Sequence, residues 1–423
     1  MLFAAAPCAP ARPGSAPVSN RSARTARAQL EQGDSEPAAV TIRAGMLLDG
    51  RGGVVHDAVV TVHGGRIERV DTLGFGAPRP RITYNLGAAT LLPGLVDAHV
   101  HLGWYFTKRG RLHTPGDGDT PEESYQAIAA NARAMLMAGV TTVQSVGGPE
   151  DAPVRDSIAR GVIPGPRVLT SLQPIVDPFL TPDELRQLVR RRRDQGADVI
   201  KVFASSGLGG DVAQMLTDDQ LGAICDEARA VGLRTVIHAM NAQSVRAATL
   251  AGCTQVEHGL SAGADELRLM ADRGVYFGPQ VCLVFRNYLE PRPMFERSGF
   301  LAATFDALRR ARPDARAGFT RAIRTPELKV LFSSDAVAGA HGRNADELVC
   351  RVREGGQRPM DAIVSATSLA AGALGLGDRV GTIAPGFDAD LIAVDGRLLR
   401  DINAVRRVTF VMRAGRVYKR GDP

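Results

Sequence analysis

Apolar and polar positions alternate with period two near both ends of the chain, and a different rhythm runs between them. From about Val40, "AVTIRAGMLLDG", "DAVVTVHGGRIERV" and "ATLLPG" alternate between glycine turns, the pattern of short antiparallel strands. The far end repeats it in "GTIAPGFDADLIAVDG" and "VRRVTFVMRAGRVYKRG", punctuated by "PG", "DG" and "AG". The middle is built from short, nearly continuous apolar runs: "TTVQSVG" (141–147), "PRVLTSL" (166–172), "DVIKVFA" (198–204), "RTVIHAM" (234–240), "CTQVEHG" (253–259), "VYFGPQV" (275–281) and "KVLFSSDA" (329–336). With the run that ends in "LVDAHVHL" they number eight. Runs of this length and evenness read as strands buried on both faces. Helical stretches separate them, several with a Thr start, early acids and a closing glycine, as in "TPEESYQAIAANARAMLMAG", "TPDELRQLVRRRRDQG" and "TDDQLGAICDEARAVG". Eight βα repeats are what a closed (βα)8 barrel needs. The expected architecture is therefore α/β: a (βα)8 TIM barrel over residues 91–377. A small β-sandwich domain is expected from residues 39–90 together with 378–423.

Composition changes this picture little. Hydrophobic residues at 44% and charged residues at 23% are ordinary for a globular protein. The net charge of +6 comes from scattered arginines. Its densest cluster, Arg190–Arg193, falls on a helix and reads as a solvated face, with no aromatic or glycine-rich companion to suggest nucleic acid. No apolar run approaches the roughly 20 residues of a membrane span. The five cysteines (Cys8, Cys225, Cys253, Cys282, Cys350) are odd in number, widely spaced and without C-x-x-C, which argues against a disulfide scaffold and a cysteine zinc site. Residues 1–38, rich in Ala, Pro, Ser and Arg, read as a disordered extension or a signal remnant. Disorder with a cytoplasmic location is the expectation; a truncated signal peptide would make the protein periplasmic or secreted.

The chemistry gathers at strand ends, where barrels of this kind place their sites. The first strand ends in His99 and His101; residues i and i+2 of a strand share a side, so two imidazoles point at one spot. The fourth carries Lys201 in "VIKVF", the fifth ends in His238, the sixth in His258 and the eighth in Asp335. Each has an ordinary explanation alone: a bonded core histidine, or an N-cap aspartate before "AVAGAH". Lys201 is harder to explain away, because an unpaired ammonium amid apolar neighbours is costly. Burial favours its neutral amine, which can take up CO2 as a carbamate and so become a bidentate anion. Together the six residues point to a metal site.

Here the chain resembles the amidohydrolase superfamily, in its binuclear subtype with H-x-H after strand one and a carboxylated lysine on strand four. It looks most like the imidazolonepropionase-related group that includes Xaa-Pro dipeptidases and ochratoxin-hydrolysing amidases. The resemblance spans about residues 40–423 and rests on "LLPGLVDAHVHL", "AGVTTVQSVGG", "GADVIKVFASSG", "VIHAMNAQSVRAATLAGCTQVEHG" and "SSDAVAGAHGRNADEL". It implies two divalent metal ions, most naturally zinc. His99, His101 and Asp335 would hold one ion, His238 and His258 the other, and carboxylated Lys201 would bridge them. It further implies a hydroxide nucleophile and Asp335 as the proton shuttle. The implied reaction is cleavage of an amide or peptide bond in a small carboxylate-bearing substrate: a dipeptide of Xaa-Pro type, an N-acyl amino acid or an ochratoxin-like amide.

Substrate contacts are expected from loops after the last strands: His341 and Arg343 in "HGRN", Arg286 and Tyr288 in "VCLVFRNYLE". Arginine there could clamp a carboxylate bidentately. One departure stands out: after strand three the chain reads "QPIVDPFLTPDE", without the Gly-Gly-His that many relatives carry, and His113 after strand one is a candidate to compensate. The rivals are a lactonase or cyclic-amide hydrolase on the same ligands and a barrel without catalysis. Expected partners are the small substrate and further copies of the chain in a homo-oligomer, an octamer among the options, with neither nucleic acid nor membrane.

Overall fold

Each of the eight apolar runs carries a parallel strand: β1 (Leu95–Val100), β2 (Val140–Ser145), β3 (Arg167–Thr170), β4 (Val199–Phe203), β5 (Arg234–Ala239), β6 (Gln255–His258), β7 (Tyr276–Gly278) and β8 (Lys329–Val330). The computed structural model describes residues 39–73, 81–114, 116–207 and 212–421, so the extension expected over residues 1–38 lies outside the described residues. The strands pair in sequence order, β1 to β3 in one sheet and β4 to β8 in another. Parallel bridges then join the two sheets on both sides, Ile175 with Val202 and Val100 with Ala336. Backbone bonds back them up: Ile175 N–H donates to Lys201 O at 2.8 Å and His101 N–H to Ala336 O at 3.0 Å. β7 and β8 are shorter than their apolar runs. The ladder stops at Gly278 because Pro279 has no N–H to donate.

The helices between strands begin where the Thr starts predict. Pro121–Met137, Pro182–Asp194 and Asp218–Ala230 are each capped by a Thr side chain and a reciprocal Glu or Gln three residues on. The arginine run lies on the second of these, where Arg190 makes a two-pronged pair with Glu227 at 2.7 and 3.0 Å.

The two chain ends share one eight-stranded sheet, tied at Thr90–Pro93. This strand runs parallel to Val40–Leu48 and antiparallel to Leu391–Val394, with Leu92 opposite Ile392. Side chains from both ends, among them Ile42, Val60, Leu391, Phe410 and Met412, form one buried cluster. No helix among the described residues is long and apolar enough to cross a membrane.

The cysteines correct the sequence reading. Cys225 is bonded to Cys253 and Cys282 to Cys350, with Cα atoms 5.2 and 6.1 Å apart. Spacing along the chain hid the pairs because the βα repeat, not the local sequence, brings neighbouring layers together. Thiol titration of denatured, unreduced protein is expected to find one thiol per chain, from Cys8. Three would rule out one of the bridges and five would rule out both.

Candidate metal centre

All six residues singled out from strand ends line one cavity of about 260 Å³. Their donor atoms converge. His99 Nε2 lies 3.2 Å from His101 Nε2 and 3.4 Å from Asp335 Oδ1, which is 3.2 Å from His101 Nε2. A tetrahedral ion with bonds of about 2.0–2.1 Å sets its ligand atoms roughly 3.3–3.4 Å apart, so this trio fits one. Lys201 Nζ lies 3.5 Å from His99 Nε2, and the His238 and His258 rings approach within 4.5 Å.

Backbone geometry aims two of these ligands. Alternation along β6 would turn Glu257 inward and His258 outward. His258 instead adopts φ of 70°, and Asp335 φ of 52°, in the left-handed region that non-glycine residues seldom occupy. Strain of this kind gathers at functional positions. Here it returns the ring of His258 to the centre beside Glu257.

Electrostatics keep the donors ready. Burial, aided by neighbouring positive groups, holds the imidazoles of His99 and His238 well below the ordinary histidine range, and burial also lowers that of His258. They are therefore neutral, with lone pairs available, at pH 7. Burial would raise Asp335, but His99 and His101 outweigh it and hold the carboxyl below the usual carboxylate range. Lys201 is only 1% exposed, and burial brings its ammonium down to about 8 against the pull of Glu257 and Asp335.

A layer behind the donors was not read from the sequence. Glu257, fully buried, takes a proton donor from each of four neighbours. His99 Nδ1 donates to Oε2 at 2.8 Å, Ser333 Oγ at 2.8 Å and Gln280 Nε2 at 2.9 Å, while Gln255 Nε2 donates to Oε1 at 2.6 Å. The other end of Gln280 accepts from His258 Nδ1 at 2.7 Å. One carboxylate and one amide thus fix the tautomers of His99 and His258, leaving each Nε2 free for a ligand. Gly278 makes room: a Cβ there would overlap the Glu257 carboxylate and the Ser333 hydroxyl. Asp97 works from beneath. It accepts from Ser334 N–H at 3.0 Å, His99 N–H at 3.3 Å and Asn344 Nδ2 at 2.8 Å, tying β1 to the segment that carries Asp335. The signal available was polarity inside apolar strands, "VEHG" and "LVDAH".

The residues expected to contact substrate separate. Tyr288 lines the cavity. His341 is half-buried, its Nε2 donating to His101 O at 3.0 Å. Arg343 pairs with Glu290 at 2.9 Å and Asp346 at 3.3 Å, and Arg286 lies 3.8 Å from Glu290. These three do not line the cavity. His113 stacks on Tyr105 at 4.5 Å and bonds Asp117 at 2.8 Å, also outside it.

Fold and site together define a class: an α/β protein with a histidine–carboxylate centre at one end of its parallel strands. The profile of the amidohydrolase family matches residues 90–418, and the chain belongs to that family. It is therefore a hydrolase acting on amide bonds. Similar proteins include the ochratoxinase of Aspergillus niger, 26% identical over 446 residues that cover 93% of this chain and 89% of that one. The imidazolonepropionase of Deinococcus radiodurans is 25% identical over 383 residues, covering 82% and 88%. A solved Xaa-Pro dipeptidase with methionine bound in its active site is 27% identical, with a TM-score of 0.81 over 90% of this chain and 100% of its own.

Proposed function

We propose that this chain is a binuclear, divalent-metal-dependent amidohydrolase of small amides, built on a closed (βα)8 barrel whose companion sheet folds over as a β-sandwich. The observation that carries it is the convergence of six ligand-type side chains on one cavity, three with donor atoms 3.2–3.4 Å apart. His99, His101 and Asp335 would hold one ion, His238 and His258 the second, and Lys201 both, as its carbamate. Imidazole and carboxylate donors favour zinc. When bound, the ions acidify a water to near neutral pH and polarise the scissile carbonyl.

The chain's own residues then move the protons. Water adds across the amide: its oxygen bonds to the carbonyl carbon, the C–N bond breaks, and a proton ends on the leaving nitrogen. Asp335 Oδ takes that proton and hands it on. A carboxylate with depressed proton affinity is a strong acid once protonated, which suits delivery to an amine. Tyr288, which lines the same cavity, would offer its hydroxyl to the substrate. The names of the relatives, an ochratoxinase and a Xaa-Pro dipeptidase, support an amide nitrogen as the leaving atom.

Hydrolysis of a panel of small amides and one lactone by zinc- and bicarbonate-loaded protein tests this, with Lys201→Ala as control. Amide turnover by wild type alone is expected; turnover of the lactone alone would replace the amide reading. The carbamate has its own signature. Only the neutral amine of Lys201 bonds to CO2, losing a proton as the N–C bond forms. In metal-free protein with 13C-bicarbonate the carbamate resonance should therefore grow as pH rises through about 8. A resonance absent at higher pH, or unchanged in Lys201→Ala, would remove the bridge.

A further inference from the structure

The cavity has two unlike walls. One is the polar centre; the other is built by Trp104, Phe203, Val284, Phe285, Tyr288 and Phe300. Among the described residues no arginine lines it, and Lys201 is the only lysine that does. With Lys201 carboxylated, no cationic side chain faces the cavity among the described residues. The two arginines that the sequence suggested for substrate binding are engaged elsewhere: Arg343 with Glu290 and Asp346, Arg286 beside Glu290 and the Cys350 sulfur. His341 is turned to the His101 carbonyl and does not line the cavity. Residues 208–211, which follow the lining residue Gly207, read Leu-Gly-Gly-Asp and contain no cation. The polar groups on the apolar wall are uncharged: the hydroxyls of Tyr288 and Thr304 and the indole of Trp104.

A free carboxylate seated against the aromatic residues, away from the metal ions proposed above, would lose its water and find no cationic side chain to pair with. An aryl or branched alkyl group would instead be driven in by burial and by ring packing. Granting the hydrolase reading above, on which this rests, we propose that the substrate is an uncharged lipophilic amide, with an aryl or bulky alkyl group and no free carboxylate. This departs from the dipeptides and N-acyl amino acids that the family resemblance alone implies. Substrate positioning falls to shape and neutral hydrogen bonds, not to an ion pair.

Matched pairs that differ only in the carboxylate test it: N-benzoylphenethylamine against N-benzoylphenylalanine, and N-acetylphenethylamine against N-acetylphenylalanine. Occupancy is read separately from turnover, because Trp104 is the only tryptophan in the chain and packs 5.1 Å from the His101 ring. The neutral member of each pair is expected to quench its fluorescence at lower concentration and to show kcat/KM at least about tenfold higher. Equal or reversed preference in both readouts would overturn the proposal while hydrolysis of either member keeps the amidase. Tighter binding of the neutral member without turnover would uphold the substrate class and overturn the hydrolase. Silence in both readouts would overturn the substrate class.

Discussion

Asp335→Asn is expected to lower kcat roughly a thousandfold, the middle of the range for general acid–base catalysis, with bound metal retained. The substitution keeps the volume, the backbone and one ligating oxygen. It removes the charge and the proton acceptor. The site explains why the loss should fall on kcat. Asp335 Oδ1 is 3.4 Å from His99 Nε2 and 3.2 Å from His101 Nε2, and its backbone N–H donates to His99 O at 2.9 Å, so position is held from several sides. A variant that lost metal in proportion to activity would instead make Asp335 a ligand only. The pH profile gives a second readout. Asp335 is depressed, so it stays ionised as pH falls and cannot supply the acid limb near neutrality. His238 and His258 are also depressed, so they remain neutral below their ordinary 6.5. The acid limb of wild-type kcat/KM should therefore lie below pH 6.5; a limb at or above 7 would mean that another group controls it.

The parts of this molecule legible in its sequence are those written by burial. A strand covered on both faces must be apolar along its length, and seven of the eight parallel strands fall within their apolar runs, β2 starting one residue earlier at Val140. Ligand-type residues at strand ends were legible because polar side chains interrupt those runs, and the six singled out line one cavity. What could not be read depends on contacts between distant repeats. Glu257 precedes His258 in the chain, yet its meaning comes from His99, 158 positions away. The disulfides escaped for the same reason, and so did the ion pairs that draw Arg343 away from the cavity to Glu290, 53 positions off. Alternation also misdirects at β6, where it assigns His258 to the outer face; only the left-handed turn at that residue reverses it.

Glu257→Gln tests whether that hidden layer governs the metal or merely packs. The carboxylate gathers four donors, three on Oε2 and one on Oε1. Exchanging one oxygen for an NH2 sets donor against donor in a fully buried place, either at His99 Nδ1, Ser333 or Gln280, or at Gln255. The side chain keeps its size, so what changes is the hydrogen-bond sense. In either orientation His99 loses the anionic partner that holds its proton on Nδ1 and raises the basicity of Nε2. Replacement of such outer partners typically weakens metal binding roughly 10–100-fold, which is about 1.4–2.8 kcal/mol. Competition with a chelator of known affinity should show this loss at the ion held by His99. Gln280→Leu should weaken both ions, since Gln280 orients His258 directly and supports Glu257 at 2.9 Å. The distinguishing result is the metal affinity. If Glu257→Gln lowers the melting temperature of the metal-free protein but binds zinc as tightly as wild type, the network is packing, and the His99 ring is held by its β1 neighbours alone.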